Sequence, residues 1–110
     1  MHLKTLTGGK NKEKAHQELV DETPVVFLFF KTGCPACEAA RPAWNKFSEE
    51  MEDDPHRIVE IEEEAIPEMM MSNIRAFPTY VQYANKVGKH HVGSLTNAND
   101  IYKKLRITRK

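Results

Sequence analysis

The sequence predicts an α/β protein: one domain built on a central mixed β-sheet flanked by helices, in the order βαβαβαββα. Three observations predict it. The run Val25-Val26-Phe27-Leu28-Phe29-Phe30 is apolar throughout, as a strand must be when helices cover both its faces. Strand-like and helix-like patterns alternate on either side of it. Near the end, two short strand-like stretches flank Asn85 to Gly88, the spacing of an antiparallel hairpin. A chain of 110 residues holds one hydrophobic core and is too short for two, so residues 1–110 are read as a single domain.

Leu3 to Thr7 reads as a short first strand ended by Gly8-Gly9. Lys12 to Glu22 reads as a helix with Ala15, Leu19 and Val20 near one face. Pro24 separates it from the apolar strand, and Lys31-Thr32-Gly33 then turns the chain into a second helix running from Cys34 to about Met51. Ala40, Trp44, Phe47 and Met51 form its inward stripe. Pro42 lies inside it, where the missing N–H predicts a kink. Arg57 to Ile61 is the third strand, and Glu62 to Ala65 a charged turn. Pro67 suits the start of a short helix carrying Met69-Met70-Met71. These methionines are expected to fill gaps between helix and sheet rather than to form a plastic binding surface. Thr79–Ala84 and Lys89–Val92 are the hairpin strands, and Asn99 to Arg106 the last helix, with Ile101, Tyr102 and Leu105 inward.

Lys and Arg number 16 and Asp and Glu number 16, so net charge gives no footing for nucleic acid as a partner. No apolar run approaches the roughly 18 residues that a membrane span needs. The start, Met1-His2-Leu3-Lys4, has no apolar signal-peptide core. The expectation is therefore a cytoplasmic, monomeric protein, with a viral or organellar setting left open. Between Glu49 and Glu68 the many acids face only His56 and Arg57, while the end of the chain is basic, at Lys103, Lys104, Arg106, Arg109 and Lys110. Solvated faces are the expected reading of both runs, ahead of docking surfaces.

Cys34-Pro35-Ala36-Cys37 holds the only two cysteines. In a reducing compartment a pair spaced this way is catalytic or metal-binding more often than a structural staple. Zinc would need further ligands from His2, His16, His56, His90 and His91. None has zinc-finger spacing, and His90 and His91 would point to opposite faces of a strand. No metal is expected. Redox chemistry fits better. Cys34 at a helix N-terminus meets unpaired N–H groups and the positive end of the helix dipole, which favour its thiolate and make it the candidate nucleophile. Cys37, one turn further in, is the candidate resolving thiol. Pro35 lacks an N–H but helps start the helix. A spacer without histidine argues against a strongly oxidising pair.

Strand, CPAC, a helix with Pro42, then Ile74-Arg75-Ala76-Phe77-Pro78-Thr79, a hairpin, Val92-Gly93-Ser94 and a last helix together resemble the thioredoxin superfamily over almost the whole chain. The resemblance implies a thioredoxin fold and a protein thiol-disulfide oxidoreductase with no cofactor beyond its dithiol. Its implied partners are protein disulfides and an unidentified reductant or oxidant. Pro78 would be a cis-proline beside Cys34, and Phe77-Pro78 would pair with the substrate chain like an added strand. Gly33 and Pro35 would also face substrate, and Gly93 would leave room for its backbone. A disulfide isomerase or oxidase, and a thioredoxin-fold binding module without turnover, are the alternatives.

The chain also departs from that pattern. Gly33 stands where thioredoxins carry tryptophan, and Pro35-Ala36 replaces Gly-Pro. Leu28 stands where they bury an aspartate that helps deprotonate the resolving cysteine. Glu60 is the candidate substitute, although the plainer expectation for a strand glutamate is that it faces solvent.

Overall fold

The computed structural model describes residues 3–84 and 87–108. Five strands form one sheet: β1 (Leu3–Leu6), β2 (Val25–Phe30), β3 (Arg57–Glu62), β4 (Thr79–Ala84) and β5 (Val87–Val92). Their spatial order is β1-β3-β2-β4-β5. β1, β3 and β2 run parallel, while β4 and β5 pair antiparallel. The helices are α1 (Lys12–Val20), α2 (Pro35–Glu50), α3 (Glu68–Met71) and α4 (Ala98–Leu105). The expected order of elements is the observed one.

Alternation along β2 explains why all of it is apolar. Val26 and Leu28 join a core with Trp44 and Phe47 of α2 and Ile101 and Leu105 of α4. Val25, Phe27 and Phe29 join a second core with Ala15 of α1, Val59 and Ile61 of β3 and Ile74. Side chains on a strand point alternately to its two faces, so a strand with helices on both sides has no polar position to spare. Aromatic packing is dense over α2, where the Phe47 ring sits 5.5 Å from Trp44 and 5.0 Å from Tyr102.

Several boundaries differ from expectation, for local reasons. α1 stops at Val20 rather than Glu22. Asp21 is extended, and its carboxylate accepts the Thr23 N–H at 2.9 Å and hydroxyl at 2.8 Å, a local bond that competes with helix. Val20, expected near the inward face, is 56% exposed because the helix ends there. β3 runs one residue further, to Glu62, whose carboxylate accepts from the Gly8 N–H at 3.1 Å and the Glu64 N–H at 3.2 Å. β5 begins at Val87, so Gly88 belongs to the ladder opposite Tyr83 rather than to the turn. A Cβ on Gly88 would lie 2.6 Å from the Tyr83 ring, which explains a glycine in a strand. Asn85, placed in that turn, lies outside the described residues, as do His2, Arg109 and Lys110. α4 ends at Leu105 because Arg106 turns left-handed, at φ 54°.

The acidic run does not make one surface. Glu60 and Glu62 are buried. Arg57, expected to face that run, instead pairs with Glu18 and Asp21 beside α1. His56 bonds Asp54 at 2.6 Å. Among the described residues no helix is long and apolar enough to cross a membrane.

Phe47→Ala should cost about 3–5 kcal/mol of stability, because it empties a fully buried ring site. Urea denaturation reads this directly. A loss below about 1 kcal/mol would mean that α2 does not pack on this core.

Candidate active site

β2 delivers the chain to the dithiol. After Phe30 the turn Lys31-Thr32-Gly33 closes with the Cys34 N–H on the Lys31 carbonyl at 3.3 Å. Gly33 makes the turn possible: its φ is +79°, a left-handed value disfavoured for residues with a Cβ. Cys34 then takes the N-cap of α2, with extended backbone and Pro35 at the first helical position. Its Sγ accepts the Cys37 N–H at 3.3 Å. A sulfur here fills the place that serine or aspartate takes at other helix starts. Cys34 is partly exposed and Cys37 is buried, and both are free thiols.

The two thiols are electrostatically unlike. Cys34 is held below the ordinary thiol value of 9.0, first by a hydrogen bond from the Cys37 side chain, then by the backbone N–H groups of Cys37 and Ala36 and the Lys31 charge, with burial opposing. Pro35 does remove one donor, yet the next two residues supply theirs. Cys37 is pushed up to about 11, chiefly by burial, then by the hydrogen bond to Cys34 and the charge of Cys34; a backbone hydrogen bond with Lys31 and the Arg41 charge oppose this.

The second segment closes over the first. The Phe77–Pro78 peptide bond is cis, the form implied by the family resemblance. The Cys34 thiol points at the Phe77 carbonyl, with Sγ 3.8 Å from the oxygen. The Gly93 N–H donates to the Pro78 carbonyl at 2.9 Å, and Gly93 has φ +105° with open space where a side chain would project. Gly33, Cys34, Pro35, Cys37, Phe77, Pro78 and Gly93 therefore gather at one end of the sheet. Ser94 joins them by donating its hydroxyl to the Ala36 carbonyl at 2.5 Å.

Beneath the dithiol the structure corrects one expectation and adds a residue that the sequence did not single out. Glu60 does not face solvent; it is buried on the α2 side of β3, beside Leu28 in the ladder. Its Oε1 accepts from the Thr5 hydroxyl at 2.8 Å, and its Oε2 from the Arg41 guanidinium at 2.6 Å and the Trp44 indole N–H at 2.7 Å. A buried carboxylate is costly unless paired and hydrogen-bonded, and these three donors meet that requirement. The added residue is Arg41, whose guanidinium also lies 5.0 Å from the centre of the Phe30 ring. Its position four residues after Cys37 on one helix face was the available signal.

The methionine triplet also departs from expectation. Met69 and Met71 are 56% and 53% exposed, because α3 is a single turn too short to bury all its sides. Only Met70 packs, against the second core. It lines a cleft of about 520 Å³ with Ile74, Arg75, Ala76 and Val92, next to the cis-proline loop. His90 and His91 pair with Val81 and Tyr80 and so point to opposite faces. Among the described residues no cluster of three or more histidine, cysteine or acidic side chains could hold a metal ion.

A mixed five-stranded sheet between helices, with a free dithiol at a helix start facing a cis-proline, defines a dithiol protein of the thioredoxin fold. The model of the family described as thioredoxin matches residues 7–106, and the chain belongs to that family. Its fold is similar to a thioredoxin of Malassezia sympodialis, with TM-score 0.72 and 18% identity over 96% of this chain and 92% of that one. Mitochondrial thioredoxin 3 of Saccharomyces cerevisiae gives 0.71 and 18% over 96% and 95%. The thioredoxin pre-protein of Schistosoma mansoni gives 0.68 and 22% over 96% and 97%. No curated protein sequence matches the chain.

Gly33→Ala should destabilise the protein by about 1–2 kcal/mol through backbone conformation alone, since nothing lies within 4 Å of the added carbon. Unchanged urea midpoints would contradict the left-handed turn.

Proposed function

We propose that this protein is a thiol-disulfide oxidoreductase that reduces or exchanges disulfides in protein substrates through Cys34 and Cys37. The observation that carries this reading is the inequality of the two thiols: one partly exposed and lowered at a helix start, the other buried and raised to about 11. Such a pair divides the labour of exchange.

In the first half, the Cys34 thiolate attacks one sulfur of a substrate disulfide. A Cys34–substrate disulfide forms, the substrate S–S bond breaks, and the released substrate sulfur leaves as a thiolate that takes up a proton. In the second half, Cys37 loses its proton and attacks the Cys34 sulfur. The Cys34–Cys37 disulfide forms and the second substrate thiolate leaves, so two electrons pass from the protein dithiol to the substrate. An external dithiol reductant restores the starting state. Run backwards, the same steps oxidise or isomerise substrates, and the reduction potential selects the direction.

Phe77, Pro78 and Gly93 are proposed to receive the substrate backbone, and Gly33 and Pro35 to border it. The 3.8 Å approach of Cys34 Sγ to the Phe77 carbonyl supports this, because a chain paired there brings its sulfur to Cys34. No cofactor enters these steps. A monomer acting in a reducing, cytoplasmic setting is the working proposal for its surroundings, without nucleic acid or membrane as partner.

Insulin reduction by dithiothreitol tests the reading. The wild type should accelerate turbidity, Cys34→Ser should abolish the acceleration, and Cys37→Ser should accumulate a covalent mixed disulfide through Cys34. Equal, uncatalysed turbidity from wild type and Cys34→Ser would favour a binding module instead.

A further inference from the structure

Cys37 has to become a thiolate in order to finish the exchange, yet burial works against that charge. No carboxylate takes the proton from the neighbouring strand, since position 28 is leucine and Leu28 belongs to the apolar core. Glu60, beside Leu28 on β3, has both oxygens engaged elsewhere, Oε1 by Thr5, and Oε2 by Arg41 and Trp44.

Arg41 is placed differently. It follows Cys37 by four residues on α2, the spacing that stacks side chains on one helix face. Its side chain is one-third exposed, at 33%, but its guanidinium is fixed by the buried Glu60 carboxylate on one side and borders the Phe30 ring on the other. Around Cys37 the titratable groups are Cys34 and Arg41 on α2 and Tyr80 on β4; Tyr80 and Cys37 both feel the Arg41 charge. The balance changes during the reaction. Two of the causes that push Cys37 up come from Cys34, its hydrogen bond and its charge. Both vanish once Cys34 is bonded to the substrate sulfur. Burial then stands against the Lys31 backbone contact and Arg41.

We propose that Arg41, clamped by Glu60, is the charge that readies Cys37 to attack in the second half of the exchange. Arg41 and Glu60 are positioning residues here: neither touches the reacting sulfurs. Arg41 stabilises the thiolate of Cys37, and Glu60 stops the guanidinium from swinging out to water. This assignment rests on the dithiol reading of the proposed function, but its test does not need exchange activity.

In a Cys34→Ser background, which leaves one thiol and removes the charge of Cys34, carbon NMR of cysteine-labelled protein titrates Cys37 alone, apart from the three tyrosines that ionise in the same range. Arg41→Met should move the midpoint up by about one pH unit, a tenfold smaller thiolate fraction at a given pH. Arg41→Gln, which keeps a donor for Glu60 without the charge, should move it equally and stands in should Arg41→Met not fold. Arg41→Lys should hold most of the wild-type midpoint. A midpoint that stays put in the neutral variants overturns the proposal, whether or not the protein exchanges disulfides. With both cysteines present, single-turnover kinetics should show Arg41→Met slowing resolution about tenfold while mixed-disulfide formation is unchanged. Glu60→Gln should slow resolution less than Arg41→Met. A larger effect from Glu60→Gln would make Glu60 the acting group and overturn the assignment to Arg41. A shifted midpoint in a protein that exchanges no disulfide would instead count against the proposed function alone.

Discussion

The start of α2 has to land where β2 ends and where the Phe77–Pro78 loop crosses, and the chain has three residues, Lys31 to Gly33, in which to do it. A left-handed glycine makes so short a turn feasible. Its consequence is that Cys34 becomes the helix cap, with its sulfur facing the Cys37 N–H on one side and the Phe77 carbonyl on the other. Everything chemical about the dithiol follows from that placement. The sulfur at the helix start shares its donors and is lowered, and the sulfur one turn on is buried and raised. A residue inserted in the turn would separate the two environments from the loop that lies over them.

That placement is backed by a polar cluster that ties three elements together. Glu60 joins Thr5 of β1, Arg41 and Trp44 of α2 and its own strand β3 around one carboxylate. Burying such a charge does not by itself stabilise a fold, since desolvation offsets much of the attraction. Removing one partner, however, leaves the others unpaired, so the cluster holds α2 in one register over the sheet. Leu28 beside it is then intelligible. An aspartate at that position would sit one strand from Glu60 on the same face, with like charges opposed, whereas leucine completes the apolar core.

Much of the fold was legible because its signals are periodic. The doubly covered strand Val25–Phe30, the stripe from Ala40 to Met51 and the hairpin each repeat a pattern over several residues, and single misplaced residues do not spoil it. The candidate site was legible for a different reason: CPAC and the Phe77-Pro78 segment are local motifs that the fold brings together. What stayed hidden depended on single side-chain contacts and on element length, which leave no periodic pattern. Glu60 reads as an ordinary strand glutamate until Arg41, Trp44 and Thr5 converge on it. The early end of α1 depends on two bonds to the Asp21 carboxylate, from the Thr23 N–H and the Thr23 hydroxyl. Met69 and Met71 look like core filler, yet a one-turn helix has too little of itself to bury them. Gly88 reads as a turn residue until the Tyr83 ring is seen lying over it.

Above all, this geometry makes the two thiols unlike. Titration of cysteine-labelled protein by carbon NMR, in the reduced state, resolves each thiol separately. Two well-separated transitions are expected, Cys34 below 9.0 and Cys37 near 11. Coincident transitions near the ordinary thiol value, or Cys37 titrating below Cys34, would contradict it.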